Sequence, residues 1–200
     1  MRARALAPIL ALAAAVASCG LLKPADVATK KEVLSAVPTD LPHGRARPAT
    51  LLVFPPDAKP IYDTTQMAYM TRPFQVDYFA KNEWGEKPSR MMQELLVRTL
   101  ESTRSFTAVV KPPHTEPYTY ALKSEIVAFH QDFTTEPPVM RIAMRFELVS
   151  EKSDRVLATK ELDVRQPMQE KTPYAGVVAA NEAAAKLLRE VAGFVLEKAG

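Results

Sequence analysis

The chain has 200 residues, 26 Lys and Arg against 23 Asp and Glu, a formal charge of +3, three histidines and one cysteine. So even a balance, with no basic face or stripe, excludes the electrostatic footprint of a nucleic-acid binder. A single cysteine excludes a disulfide within the chain. Seventeen prolines against six glycines stiffen loops and punctuate strands.

Arg2 and Arg4 head an uncharged run from Leu6 to Ala17, about a dozen residues broken only by Pro8. That suits a signal peptide and falls short of the roughly 20 residues of a bilayer span. The run ends in Val16, Ala17, Ser18 and Cys19, which resembles the lipobox of bacterial lipoproteins: an aliphatic residue, two small ones and cysteine. The resemblance implies cleavage between Ser18 and Cys19, thioether lipidation of Cys19, and acylation of the new N-terminus with a fatty acid such as palmitate. An ordinary secretory signal, cut after a small pair such as Ala15 and Ala17, would leave the cysteine unexplained. Loss of residues 1–18 leaves 182, and loss of Arg2 and Arg4 takes the charge from +3 to +1. That is one domain able to form its own core. Each buried CH₂ contributes about 0.8 kcal/mol, so three acyl chains anchor essentially for good. Gly20 stands where inner-membrane retention signals place aspartate. By resemblance to lipoprotein sorting this implies the outer membrane, periplasmic face, with the periplasmic face of the inner membrane as the alternative.

Residues 19–49 form the expected lipidated cysteine and tether. They carry Pro24, Pro38, Pro42 and Pro48 with few large apolar residues, apart from a short amphipathic turn around Val33 and Leu34. Thirty extended residues would reach on the order of 90 Å, and a coil of that length about 30 Å. Residues 50–200 are the expected domain. Thr50 to Phe54 is a short buried strand stopped by Pro55 and Pro56, and Met67 to Thr71 with Phe74 to Ala80 reads as a hairpin around Pro73. Tyr69, Phe74, Tyr78, Phe79 and Trp84 concentrate aromatic surface there. Core packing is one expectation for them; partner contact by Tyr69, Arg72, Tyr78 and Trp84 is the other.

Pro88 opens a helix of about 16 residues with Met91, Met92, Leu95, Leu96 and Leu100 on one face and Arg90, Gln93, Glu94, Arg98 and Glu101 on the other. Phe106 to Val110 is a strand closed by Pro112 and Pro113. Tyr118 to Phe133 is a long one whose apolar phase slips near Ser124, predicting a bulge. Met140, Ile142, Met144, Phe146 and Leu148 alternate with Arg141, Ala143, Arg145 and Glu147, giving one buried and one wet face. A turn over Ser150 to Asp154 leads to Val156 to Val164 and completes an antiparallel meander. Pro173 to Ala199 is helical, with a stripe of Val177, Ala180, Ala184, Leu188, Val191 and Val195 whose alanines permit close approach to a sheet. The expected fold is α+β, a single domain with a mixed or antiparallel sheet of about five to six strands covered by two amphipathic helices.

Catalytic signatures are absent from the sequence. His43, His114 and His130 lie in the tether, a proline loop and a strand, none with a second ligand at metal spacing. There is no Gly-x-Ser-x-Gly elbow and no phosphate-binding glycine loop. Glu83 and Glu86 beside Trp84, or Asp132 and Glu136, would suit a glycosidase only if they converged. No catalytic residue, metal or cofactor is expected beyond covalent lipid on Cys19.

The order of elements resembles the auxiliary lipoprotein component of ABC-type transport systems, the PqiC-like lipoproteins. Carrying the resemblance are Cys19, the strand of Leu51, Val53 and Phe54, and the hairpin Tyr69-Met70-Thr71-Arg72-Pro73. Val76, Tyr78, Phe79, Asn82 and Trp84 follow, then Pro88, Met92, Phe106, Val109 and Val110, the strand Leu122 to Phe133, and Asn181 with Ala183. It implies a non-enzymatic envelope lipoprotein beside an ABC permease and ATPase and an MCE-domain protein that move lipids or other hydrophobic molecules. The lipoprotein would act by docking or assembly, and a homo-oligomer is compatible with that role. A periplasmic lipid carrier and an envelope hydrolase are the competing readings.

Overall fold

The computed structural model describes residues 28–199; the leader, the Ser18–Cys19 cleavage point, Cys19 itself and the first part of the tether lie outside the described residues. Among the described residues there are nine strands and two helices: β1 Lys30–Glu32, β2 Arg47–Val53, β3 Asp57–Ala58, β4 Gln66–Arg72, β5 Gln75–Trp84, α1 Pro88–Ser102, β6 Phe106–Val110, β7 Tyr120–Asp132, β8 Val139–Ser150, β9 Arg155–Pro167 and α2 Pro173–Lys198. The class is α+β with a mixed sheet, as the sequence predicts. The strand count exceeds the expected five to six: seven strands correspond to segments the sequence shows, and β1 and β3, too short to leave a periodic signal, bring the number to nine.

β7 is the centre of the sheet and is paired along both edges, and of its thirteen residues only Lys123 is exposed. One edge belongs to β8 alone, antiparallel from Tyr120↔Ser150 to Asp132↔Val139, and β9 continues the meander beyond it. Three shorter strands share the other edge, all parallel and laid end to end: β2 at Leu122, β3 at Ile126 and β4 at Gln131. The sheet therefore forks. Beyond β2 lies β6, while beyond β4 lie its hairpin partner β5 and then β1, which runs parallel to β5.

The bulge sits three residues later than the sequence places it. Ile126 pairs with Met144 and Ala128 with Ala143, so Val127 is the extra residue. Ser124 keeps its partner, Phe146.

α2 lies across β8 and β9, α1 lies over β2 and β6, and the two helices touch each other, so both cover the same sheet face. The predicted stripe of α2 is buried throughout, with Ala180 and Ala184 at 0% exposure. Thr172 caps its start by accepting from the Ala175 amide, and Pro173 fills the first helical position. Gly176 lies tight against the sheet, where a Cβ would fall 2.0 Å from the Gln131 side chain. Gln131 is itself buried and donates from Nε2 to the Pro173 carbonyl at 3.1 Å. Gly176→Ala is expected to cost about 1–3 kcal/mol by overpacking, read as a lowered midpoint in urea unfolding. No helix among the described residues is long and apolar enough to cross a membrane.

Two expectations are corrected by packing. Gln93 is not on the wet face of α1: it is buried and donates to the Val53 carbonyl at 3.0 Å, tying the helix to β2. The tether does not run to residue 49. From Lys30 the chain is on the domain, through β1, buried Leu34 and the Asn181 carboxamide, which accepts from the Ser35 and Ala36 amides at 2.8 and 3.1 Å. Asn181 also donates to the Val33 carbonyl, and Arg189 pairs with Asp40. These backbone groups are satisfied by a side chain rather than by a sheet, so sparse apolar residues do not make the segment free.

Candidate functional site

The β4–β5 hairpin gathers the residues that the sequence offers as contacts, and it separates them. Trp84 ends β5 at 2% exposure, edge-on to Phe129 with ring centroids 5.4 Å apart. Trp84 is therefore core, and its expected partner contact is withdrawn. Tyr69 is half-buried, 4.4 Å from the Phe79 ring and 6.0 Å from Phe133. Tyr78 points to the opposite face of the ribbon, as a neighbour of Phe79 on one strand must, and donates to the Ile61 carbonyl at 2.9 Å. Arg72 is exposed at the turn, where it pairs with Gln75.

Between those two residues the turn presents what sequence reading missed as a contact. Phe74 is completely exposed, at 102% relative to a free residue, and its backbone has φ +67°. Proline followed by a residue of positive φ is the pattern of a type II turn, whose third position asks for glycine. A phenylalanine there stores strain on the order of 1 kcal/mol and gives no burial in return. Phe74→Gly is accordingly expected to hold or raise stability, by up to about 1 kcal/mol, in thermal unfolding. The signal was the order Arg72-Pro73-Phe74-Gln75, an aromatic at the glycine position of a two-residue turn.

On the sheet face away from the helices, Tyr62 from the β3–β4 connection covers His130. Their rings stack at 5.9 Å, and Tyr62 Oη and His130 Nδ1 share a 2.9 Å hydrogen bond. Beside them Arg141 holds Asp163 through Nε and Nη2, at 3.1 and 2.8 Å, a fork that lowers the Asp163 carboxyl and raises Arg141. Burial, then the Arg141 charge, pushes the His130 imidazole from 6.5 down to about 4. The unfolded chain thus takes up this proton first. The neutral-imidazole contribution is whole above pH 6.5 and falls as pH drops towards 4, by about 1.4 kcal/mol per unit. His130→Phe is expected to flatten that acid slope in urea titrations, and an unchanged slope would assign it to carboxylates.

The remaining polar candidates do not converge. Asp132 accepts from the amide and hydroxyl of Thr134, closing its own turn, and Glu136 pairs with Lys171. Among the described residues no three His, Cys, Asp or Glu side chains gather as a metal site would need. An open apolar groove of about 480 Å³ runs between residues 32–36 and α2, lined by Val33, Ala36, Tyr174, Val178 and Glu182. Val33, Tyr174 and Val178 are 55, 64 and 43% exposed.

The profile of the ABC-type transport auxiliary lipoprotein component family matches residues 33–192. The chain belongs to this family. The matched span begins within the packed segment ahead of β2, so that segment is part of the auxiliary domain rather than a leader to it. Protein XCC0632 from Xanthomonas campestris, of the DUF330 family, is similar in structure, with 21% identity, 86% of this chain and 95% of that one covered, and a TM-score of 0.74. A second, uncharacterized protein gives 14%, 84%, 99% and 0.69. Protein CT253 from Chlamydia trachomatis gives 11%, 76%, 98% and 0.52. At such identities the likeness concerns the fold of this auxiliary lipoprotein alone. No curated protein matches the chain.

Proposed function

We propose that this auxiliary lipoprotein is anchored through lipid on Cys19 at the periplasmic face of the outer membrane and works without catalysis. It docks or organises an ABC permease and ATPase with an MCE-domain protein, in a system that moves lipids or other hydrophobic molecules. The family match over residues 33–192 carries this reading, and the lipobox ahead of it supplies the anchor. Tyr69 and Tyr78, half-buried on opposite faces of the hairpin, are its protein-facing contacts. Packing from Lys30 onward leaves eleven residues back to Cys19, a reach of at most about 40 Å, less than half of what a tether through residue 49 would allow. The domain works close to its membrane. Affinity purification of the tagged lipoprotein from solubilised envelopes tests this. Transporter and MCE-domain components should co-purify, and their absence under mild detergent would contradict the proposal.

A second reading is favoured by the apolar groove beside α2: the protein itself carries a lipid chain. Its volume, about 480 Å³, falls within the ordinary range of ligand sites. It is open to solvent, however, and encloses nothing. Native mass spectrometry of the purified protein should show bound lipid beyond the anchor if this reading holds.

A further inference from the structure

We propose that the turn of the β4–β5 hairpin is a membrane-contact point, with Phe74 entering the lipid interface of the leaflet that holds the anchor. The inference rests on the lipid anchor at Cys19 and goes beyond it, because it fixes which end of the molecule meets the bilayer.

Strand direction is the first observation. β5 runs from the turn to Trp84, and β1 lies parallel to it, with Lys30 opposite Asn82 and Glu32 opposite Trp84. The chain therefore arrives at β1 from the side on which the turn lies. Phe74 precedes Asn82 by eight residues, about 27 Å along an extended strand. Cys19 precedes Lys30 by eleven, at most about 40 Å. An anchored cysteine can reach just past the turn, whereas the far end of the sheet requires the chain to reverse and run back beyond β1.

The turn's chemistry is the second. It projects past Met70↔Asp132, the last pair that β4 makes with β7, and displays a phenylalanine wholly in solvent at a strained backbone position. Such strain persists where it serves a function. Arg72 beside it is exposed and, among the described residues, has no carboxylate partner. A cation next to an aromatic suits the phosphate level of a bilayer, with the ring below it.

A further aromatic stands at this end. β9 finishes at Val139↔Pro167, level with the end of β7, and Gln131 bonds the Pro173 carbonyl. The first turn of α2 is thereby placed at the same end of the sheet, with Tyr174 64% exposed on it. The opposite end, where Tyr120 meets Ser150 and Ser150 meets Arg155, serves as the control.

The test uses the full lipidated protein in vesicles of phosphatidylethanolamine and phosphatidylglycerol containing lipid brominated at a shallow acyl position. Flotation reads the anchor, and tryptophan quenching reads the contact. In Phe74→Trp the introduced indole, seated at the depth of an interfacial group, should be quenched by the bromolipid. The unsubstituted protein, whose sole tryptophan is buried Trp84, and Val156→Trp at the far end should keep theirs. Flotation without quenching in Phe74→Trp overturns the contact and leaves the anchor standing. Quenching in Val156→Trp alone means the opposite end faces the bilayer, and overturns it too. An indole silent towards bromolipid whose emission shifts only when the transporter is co-reconstituted assigns the turn to a protein socket instead. Failure to float removes the anchor and this inference together.

Discussion

Trp84→Ala is expected to lower the stability of the domain by about 3–5 kcal/mol, the usual cost of emptying a buried aromatic site. The reason is placement. The indole ends β5, where the Trp84 amide donates to the Thr65 carbonyl at 2.8 Å and Glu32 of β1 pairs alongside. Its ring meets Phe129 of β7 edge-on, so the cavity left by alanine lies where three strands and the helix layer come together. Against a total stability of about 5–15 kcal/mol for a domain, that loss is a third or more. Urea unfolding of the two proteins should show a large fall in midpoint with little change in slope. A variant that kept its midpoint but lost the proposed transporter partners would put the indole back on the surface, contrary to its 2% exposure.

Cys19→Ala is expected to do the reverse: leave the unfolding midpoint in place and move the protein out of the membrane fraction almost completely. Residue 19 lies nine residues before the first described one, and among the described residues packing begins at β1. On the proposed anchoring the acyl chains carry the membrane affinity, since one chain alone binds marginally and three together hold firmly. Fractionation of cells expressing the variant measures this. If the alanine protein still sediments with membranes, contacts with transporter components hold it there.

Legibility of the sequence tracked how much of each element's signal is local. β8 could be read because its alternation of Met140, Ile142, Met144, Phe146 and Leu148 is enforced by one buried face, all five being at or below 1% exposure. The stripe of α2, the hairpin and the bounds of β6 were legible for the same reason. β1 was not, since Lys30, Lys31 and Glu32 carry no apolar pattern and are held by pairing with β5, a partner some fifty positions away. Asn181 is polar in an alanine-rich helix, and nothing nearby announces that it holds residues 33–36. Gln93 carries the same lesson, a polar residue buried for one hydrogen bond to a distant carbonyl. Of the two expectations for the aromatic cluster, core packing holds for Trp84, while Phe74 is left bare. Aromatic character alone does not say which ring a sheet will cover: Phe129 of β7 and the strand β1 lie against Trp84, whereas the turn projects beyond the last pair of β4 with β7.

The claim that the rest depends on is the covalent anchor. Intact-mass measurement of the protein extracted from membranes tests it most directly. The account predicts a chain beginning at Cys19 and heavier than the bare polypeptide by a diacylglyceryl group and a further acyl chain, and an unmodified thiol, or a chain cut elsewhere, would contradict it.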